Sequence, residues 1–503
     1  MGVILRQGSK QSIINYFGAV LGAISSLLIY PLNKEFYGIA VLILSTSEIL
    51  IPIASLGFNS ISVRFFPEFK AKKIEHYLLP LLVAVCISCF LVFFSITEVL
   101  LFLFPSISNE FVEIFDIRYY IWTVATIQLL IGVFSSYASN FKRIVIPAIL
   151  VNILQKIALP AIIFLAHFMA EDKYFVMHGM IFYGTLSLLS LVVYFQKVRE
   201  NILFQEEGSF TKLKFGIRFM KAELIKKMGA FSIFNAFTIL GSKLALRIDH
   251  LMITSILSLS KTGSYGITQF MGNAIEIPAK AIFAIANPIL STALEKNDIK
   301  TVAEIYKKSS TNLVLVGYLA FSLIWFNLET MFTLTPNLLE MWPEANYVFL
   351  FIALGKLIDM LTSVNTQIIM HSKYYKFNFY SLLILAAINI VLNLYLIPVY
   401  GIVGAALASF IAMVLINGVR LFFVKTKFNL IPFSINTLKV FAIILIVFLI
   451  GSILPNLDIK LLSVAFRVIT ITTIFSCLVY FSKVSEDINT IIDNIVLKYF
   501  NRK

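Results

Sequence analysis

Charged side chains lie inside apolar stretches of this sequence, where a charge is costly. The segment Gly241–Ile253, GSKLALRIDHLMI, holds Lys243, Arg247 and Asp249 within thirteen residues. Lysine and arginine bind anions, and the guanidinium fork of arginine matches two oxygens of a phosphate. This segment therefore indicates an anion-binding surface with a carboxylate beside two cations.

A second group of polar residues shares one face of a predicted helix. Its members follow one another at offsets of 0, 4, 7, 11 and 18 residues, and a turn of about 100° per residue places those positions on one side. We expect Pro278 and Pro288 to bend this helix and to free backbone carbonyls toward the polar face. The five residues are Gln269, Asn273, Glu276, Lys280 and Asn287.

Ten ionisable side chains within these apolar stretches form the candidate set. At about 3 kcal/mol each in the membrane interior they would cost about 30 kcal/mol, more than an ordinary stability of about 5–15 kcal/mol. They must therefore pair with one another or face water or a ligand. The spacing allows pairing in three places, namely Glu276 with Lys280, Lys356 with Asp359, and Asp249 with Lys243 or Arg247.

Pairing alone does not balance these charges, because six of the ten are positive. A net charge of +2 suits an anionic ligand better than a cationic one, and phosphate or pyrophosphate best matches arginine. The positive residues are Arg64, Lys156, Lys243, Arg247, Lys280 and Lys356. The negative residues are Glu48, Asp249, Glu276 and Asp359.

The elements that carry these residues are predicted membrane helices. Of 503 residues, 59% are hydrophobic and 14% are charged, whereas soluble proteins average about 25% charged residues. Apolar runs long enough to cross about 30 Å of hydrocarbon occur fourteen times, so we predict an all-α polytopic membrane protein. The predicted spans are 11–32, 38–66, 77–104, 117–139, 144–168, 174–196, 228–257, 263–292, 309–333, 346–370, 377–397, 402–424, 438–454 and 461–482.

Basic residues determine the predicted orientation. Twenty-eight Lys and Arg residues lie on the side of the N-terminus and five on the opposite side, which places both termini in the cytoplasm. This distribution accounts for the net charge of +14, so we do not expect nucleic acid as a partner. We expect the basic segment 197–227 and the amphipathic tail 488–500 to lie along the inner membrane surface.

Two short patterns recur in the same order. Ser12–Phe17 (SIINYF) is similar to Ser232–Phe237 (SIFNAF), and the spacing of YGI and EI in Tyr37–Ile49 returns in Tyr265–Ile277. The repeat predicts two related six-helix bundles, and transporters built from repeats bind substrate near the midplane at the repeat interface. The predicted domains are a first bundle 1–196, a linker 197–227, a second bundle 228–427, and a segment 428–503 with two further spans and the tail helix.

The sequence contains no P-loop, no HExxH motif and no nucleophile elbow. We therefore expect a transporter rather than an enzyme, and no cofactor. The energy for transport would come from a Na⁺ or H⁺ gradient, the membrane potential or the substrate gradient.

Three segments resemble the Wzx-type polysaccharide and oligosaccharide-lipid flippases. They are RIDHLMI followed by TGSYGITQF in Arg247–Phe270, LNLYLIPVYGIVGAALAS in Leu392–Ser409, and YGIAVLILSTSEILIPIASLGFNSISVRFF in Tyr37–Phe66. That family shares a superfamily with the MATE-type multidrug exporters and the lipid II flippases. The resemblance implies a MATE-like fold of two six-helix bundles plus two C-terminal helices, in a bacterial inner membrane.

The resemblance also implies a cargo and roles. The cargo would be an undecaprenyl-pyrophosphate-linked oligosaccharide, exported by alternating access for O-antigen lipopolysaccharide, capsule or exopolysaccharide. Membrane lipids, a polysaccharide polymerase and glycosyltransferases would be partners. The implied phosphate-facing residues are Arg247, Lys243 and Lys280, followed by Arg64, Lys156 and Lys356. The implied sugar contacts are Asn235, Asn273, Gln269 and Gln367, and the implied countercharge or coupling-ion residues are Asp249, Glu276, Glu48 and Asp359.

Three alternatives stay open at the level of sequence. A cation-coupled multidrug exporter of the same fold is disfavoured by the positive interior. A lipid II flippase would carry the same lipid pyrophosphate, and the polar residues do not single out either cargo. A non-transporting partner of a polysaccharide polymerase would tolerate the variants Arg247→Gln and Lys280→Gln without loss of export.

Overall fold

A computed structural model of the chain describes residues 17–72, 74–105, 112–141, 145–202, 222–333, 335–490 and 493. Every regular element in these ranges is helical. The predicted surface helix of the linker falls largely on 203–221, the predicted tail helix falls largely on residues beyond 490, and the two termini fall on 1–16 and 494–503. Those predictions therefore lie outside the described residues.

Thirteen helices of fifteen residues or more form the framework of the described chain. They are α1 Lys34–Ala54, α2 Leu78–Leu103, α3 Arg118–Ser139, α4 Leu154–Phe168, α5 Lys173–Ile202, α6 Ala222–Ile256, α7 Leu259–Ala274, α8 Ile277–Glu295, α9 Ile299–Phe332, α10 Trp342–Thr362, α11 Tyr375–Phe428, α12 Ile435–Ile453 and α13 Lys460–Ser482. Shorter helical segments are Ser25–Ile29, Tyr30–Asn33, Phe58–Ser60, Ser62–Ala71, Glu75–Tyr77, Val112–Asp116, Val145–Ala148, Ile149–Ile153, Pro336–Leu339 and Asn365–His371.

Eleven helical stretches in the described part are long and apolar enough to cross a membrane. Two of them, Phe17–Ala54 with 38 residues and Tyr375–Phe428 with 54, exceed the roughly 20 residues of a single crossing. The longer one turns at Gly401, whose φ of 60° and ψ of −139° interrupt the helix in a region open to glycine. The predicted all-α polytopic membrane fold is confirmed, whereas the number of fourteen spans stays a prediction.

The predicted span 38–66 is divided in the structure. Helix α1 ends at Ala54, two residues after Pro52, and the backbone then turns through Leu56 and Gly57 with φ of 47° and 73°. The segment Ser62–Ala71 forms a separate short helix. Two consecutive left-handed residues cannot continue an α-helix, so the apolar run is longer than the helix it forms.

The predicted span 263–292 is also divided, into α7 and α8. The break lies at Ile275 and Glu276, and Pro278 stands in the first turn of α8, where a missing N–H costs no helical hydrogen bond. The predicted bend at Pro278 is therefore present as a complete break. Pro288 lies inside the continuous helix α8.

The chain forms two compact units, Met1–Gly266 and Ile267–Lys503, here called unit 1 and unit 2. Helix α6, which the sequence repeat assigns to the second bundle, thus falls in unit 1, and the predicted domain limits stay a prediction. The core of unit 1 includes Phe65, Phe66, Phe69, Tyr137 and Phe195. The core of unit 2 includes Leu290, Tyr306, Ile368, Ile369 and Val424.

Glycines bring α1 close to its neighbours in unit 1. A Cβ added at Gly38 would lie 1.9 Å from the carbonyl oxygen of Leu259, and one added at Gly263 would lie 1.9 Å from that of Lys34. At the other end, a Cβ at Gly57 would lie 2.3 Å from the carbonyl oxygen of Ser232 on α6. Only residues without a side chain permit such backbone contacts between helices, and they hold α1 against both α6 and α7.

Candidate substrate-binding site

One carboxylate on α1 holds two cations on α6. The Nζ of Lys243 donates to Oε2 of Glu48 at 2.6 Å. Arg247, one turn further along α6, donates from Nε to Oε2 and from Nη2 to Oε1, both at 3.2 Å. We call Glu48, Lys243 and Arg247 the ion cluster. The spacing rule pairs these cations with Asp249, but tertiary packing supplies a carboxylate from another helix.

The ion cluster keeps a positive charge and access to its surroundings. One carboxylate against two cations leaves a formal charge of +1. The side chains of Lys243 and Arg247 are 37% and 38% exposed, and that of Glu48 is 24% exposed. An anionic ligand can therefore reach the two cations and compete with Glu48 for their N–H groups.

Asp249 lies in the packing between α6 and α7. It is buried and accepts a hydrogen bond from the hydroxyl of Tyr265 at 2.9 Å. The ring of the neighbouring His250 contacts Tyr265 edge-on, with 5.5 Å between the centroids. Within the described part of the chain, neither ring nitrogen of this buried histidine has a hydrogen-bond partner. Through the hydrogen bond from Tyr265, Asp249 therefore contacts α7.

A cavity of about 430 Å³ lies beside the ion cluster in unit 1. Glu48 and Lys243 form part of its wall, together with apolar residues such as Val124, Ile131 and Met180. The rest of the polar wall is uncharged, and its side chains come from α3, α4, α5 and the turn after α1. These residues are Asn59, Gln128, Ser135, Gln155, Tyr183 and Ser187.

None of these six uncharged polar residues was predicted as a site residue, although the sequence carries a signal for four. Gln128 and Ser135 are seven residues apart on α3, and Tyr183 and Ser187 are four apart on α5. Both spacings place the two side chains on one face of a helix. Gln155 is next to Lys156, which was predicted as a site residue. Within the described chain, no second polar residue of the cavity wall lies on α4.

Unit 2 contains a second ion pair. The Nζ of Lys356 on α10 donates to Oε2 of Glu276, at the break between α7 and α8, at 2.5 Å. The two side chains are 14% and 29% exposed. The helical spacing rule predicts that Glu276 pairs with Lys280 and that Lys356 pairs with Asp359. In the structure, Glu276 and Lys356 pair with each other instead. Lys280 is exposed on α8 and forms no ion pair among the described residues.

Asp359 belongs to a buried polar network in unit 2. Its Oδ1 accepts a hydrogen bond at 3.1 Å from the side-chain amide of Asn417, whose oxygen accepts one from Thr362 at 2.9 Å. Arg420, one turn after Asn417 on α11, donates to the hydroxyl of Ser381 at 3.2 and 3.0 Å. Sequence reasoning missed Asn417 and Arg420, although their spacing of three residues places both on one face of a helix.

The remaining predicted residues of unit 1 lie apart from the ion cluster. Arg64 is exposed on the short helix Ser62–Ala71, with its guanidinium 4.4 Å from the ring centroid of Phe231. The side-chain amide of Asn235 donates to the carbonyl of Gly57 at 3.5 Å. Lys156 on α4 packs over Gly18.

In unit 2, Gln269 is partly buried and Asn273 is exposed. The side-chain oxygen of Gln367 is buried without a hydrogen-bond partner in the described part. The structure thus groups Lys243, Arg247 and Glu48, and separately Lys356 and Glu276. The roles of all these residues toward a substrate stay predictions.

The fold has known counterparts among solved structures. The lipid II flippase MurJ, in an inward closed conformation, superposes with a TM-score of 0.65 and 15% identity, over 94% of this chain and 99% of that chain. An inward-facing MATE multidrug resistance transporter of the MOP superfamily gives 0.57 and 11%, over 83% and 94%. The chain has the fold of the MOP-superfamily transporters. The predicted MATE-like fold class is therefore confirmed.

A third structure is a MOP-superfamily transporter from Pyrococcus furiosus, described as having a binding pocket of reverse polarity. It superposes with a TM-score of 0.50 and 10% identity, over 85% of this chain and 95% of that chain. At such low identities the likeness concerns the fold alone.

Similarity in sequence is limited. No protein-family model matches the chain. Over 169 residues it is 27% identical to the uncharacterized membrane protein MJ1375 of Methanocaldococcus jannaschii. That alignment spans 33% of the chain and 38% of the relative's own length. The apolar helices and the similarity to this membrane protein both indicate that the chain is a multi-pass membrane protein.

Proposed function

We propose that this protein is a flippase that moves an undecaprenyl-pyrophosphate-linked oligosaccharide outward across a bacterial inner membrane by alternating access. The product would enter O-antigen, capsule or exopolysaccharide synthesis, in which a polysaccharide polymerase and glycosyltransferases act as partners. Both termini would be cytoplasmic. The ion cluster of Glu48, Lys243 and Arg247 is the observation that carries this proposal.

The ion cluster suits an exchangeable anion. Glu48 accepts hydrogen bonds from two cationic side chains, and each of these side chains remains more than one third exposed. A pyrophosphate carries more negative charge than a carboxylate and offers several acceptor oxygens, so it competes for both Lys243 and Arg247. Glu48 then holds the cations in place when no cargo is bound, and the fork of Arg247 gives the phosphate a fixed orientation.

The other predicted charges have secondary roles in this proposal. Lys280, Lys156 and Arg64 add positive potential along the path of the cargo. Glu276 serves as the countercharge of Lys356, to which it is bound. Asp359 is our candidate for the coupling Na⁺ or H⁺, because its hydrogen bond comes from an uncharged amide and no ion pair of Asp359 occurs among the described residues.

A lipid II flippase is the second candidate, because MurJ aligns with 94% of this chain, more than the 83% of the MATE transporter. Lipid II shares the undecaprenyl pyrophosphate, so the ion cluster serves either cargo. Deletion of the gene separates them. Loss of surface polysaccharide with an intact cell wall supports our proposal, whereas arrest of wall synthesis supports the lipid II cargo.

Ligand-dependent unfolding of the purified full chain tests the proposal against a multidrug exporter. We expect undecaprenyl pyrophosphate to raise the unfolding temperature and ethidium, an organic cation, to leave it unchanged. The double variant Lys243→Gln/Arg247→Gln should lose the lipid response. Lys226→Gln, exposed on the same helix, is the matched control and should keep it. Stabilisation by ethidium alone would refute the proposal.

A further inference from the structure

We infer that the cavity of unit 1 is a carbohydrate subsite, which binds the sugar nearest the pyrophosphate through uncharged amides and hydroxyls. This inference rests on the proposed function and adds a location and a set of residues to it. None of the residues that carry it belongs to the ion cluster. They are Gln128 on α3, Gln155 on α4 and Ser135 on α3.

The cavity wall contains polar groups with unused hydrogen-bonding capacity. Gln128 and Gln155 form no side-chain hydrogen bond to another residue of the described chain, and the hydroxyl of Ser135 is buried without a partner there. A buried polar group is normally paired, so the Ser135 hydroxyl points to a ligand in the cavity, and the half-buried amides of Gln128 and Gln155 can reach the same ligand. Each glutamine offers two donors and an acceptor, the same mixture that sugar hydroxyls require.

The charge of the cavity favours a neutral ligand group. Of the residues that line it, Glu48 and Lys243 are charged, and these two are paired with each other at 2.6 Å. An organic cation therefore finds no free carboxylate there, and a phosphate finds its cations at the edge of the cavity. A sugar inside the cavity places its attached pyrophosphate beside Lys243.

The size and the apolar wall agree with this assignment. The volume of about 430 Å³ lies low in the range of about 300–1,000 Å³ that small-molecule sites occupy. The cavity thus admits one end of a long cargo rather than all of it. Val124, Ile131 and Met180 supply apolar contact for the C–H faces of a sugar ring.

The test compares two kinds of probe bound to the purified full chain in nanodiscs. One is undecaprenyl pyrophosphate, and the other is the same lipid carrying glucose, galactose, N-acetylglucosamine or N-acetylgalactosamine. We expect at least one sugar to tighten binding about tenfold, as two neutral hydrogen bonds do. Gln128→Leu and Gln155→Leu should each reduce that gain by about threefold. Gln196→Leu, exposed on α5 outside the cavity, is the matched control and should keep the full gain.

The outcomes separate the two proposals. Binding of the bare lipid shows that a variant is folded, and Gln128→Ala, which also removes the amide, replaces Gln128→Leu if the latter does not fold. A gain that survives both leucine substitutions, or no gain with any of the four sugars, overturns the subsite and leaves the proposed function standing. Failure of the wild-type chain to bind either kind of probe overturns both.

Discussion

Replacing Glu48 by glutamine tests the ion cluster directly. The substitution keeps the size of the side chain but removes the carboxylate that Lys243 contacts at 2.6 Å and Arg247 at two positions of 3.2 Å. A charge-assisted hydrogen bond contributes about 1.5–3 kcal/mol when buried and an exposed ion pair about 0–1 kcal/mol. Because these side chains are 24–38% exposed, we take about 1 kcal/mol per cation, or about 2 kcal/mol in all.

That loss converts to a measurable shift. A change of 1 kcal/mol lowers the unfolding temperature of a large domain by about 2–4 °C, so we expect a drop of about 4–8 °C for Glu48→Gln. The measurement is the apparent unfolding temperature of the purified chain at a fixed scan rate, since membrane proteins often unfold irreversibly. Glu98→Gln is the matched control. Glu98 is 27% exposed and pairs with one cation, Arg118, at 3.3 Å, so it should lose about half as much.

Inorganic pyrophosphate adds a second readout to the same variant. Without the carboxylate of Glu48, the anion can bind Lys243 and Arg247 without competition. At ten times its dissociation constant, a ligand stabilises the folded state by about 1.4 kcal/mol, which would restore most of the lost stability. If Glu48→Gln is no less stable than Glu98→Gln, or if pyrophosphate stabilises the wild type more than the variant, the reasoning is refuted.

Three further predictions concern packing and pairing. In a double-mutant cycle, Glu276→Gln and Lys356→Met should each destabilise the protein by about 1–3 kcal/mol, and the double variant by at least about 1 kcal/mol less than their sum; additive thermal shifts would contradict the pairing. Gly38→Ala and Gly263→Ala should each cost about 3 kcal/mol, because a Cβ there meets backbone, whereas Gly229→Ala, with open space around it, should elute as a folded monodisperse protein in size-exclusion chromatography. Asn417→Leu should lower stability by about 2 kcal/mol, since it removes the amide that donates to Asp359 and the amide oxygen that accepts from Thr362; an unfolding temperature equal to that of the wild type would show that this network is not formed.

The sequence alone predicts the class of fold and the residues of the ion cluster. Apolar runs define membrane helices, and the cost of buried charge requires that Lys243, Arg247 and Glu48 find partners or a ligand. The partners themselves are not predictable from local spacing. Glu48 and Lys243 are 195 residues apart, and their contact depends on how α1 packs against α6. The helical spacing rule therefore selects Asp249, which is near in sequence.

Other parts of the site lie beyond sequence reasoning for a related reason. Gln128 and Gln155 lie on different predicted spans, so the cavity exists only once α3 and α4 are assembled. The break before α8 is predictable because proline interrupts helices by its covalent structure. The turn at Ser363, with φ of 54°, has no such local signal, and the hydroxyl of Ser363 shares a hydrogen bond of 2.7 Å with that of Ser309 on α9.

Transport by the reconstituted protein tests the central claim most directly. The assay follows a fluorescent undecaprenyl-pyrophosphate-linked oligosaccharide from one leaflet of a proteoliposome to the other. We expect the wild-type chain and Lys226→Gln to move this lipid, and Lys243→Gln/Arg247→Gln to lose most of the rate because the pyrophosphate has lost both cations. Equal rates in the wild type and the double variant would contradict the claim that the ion cluster binds the cargo.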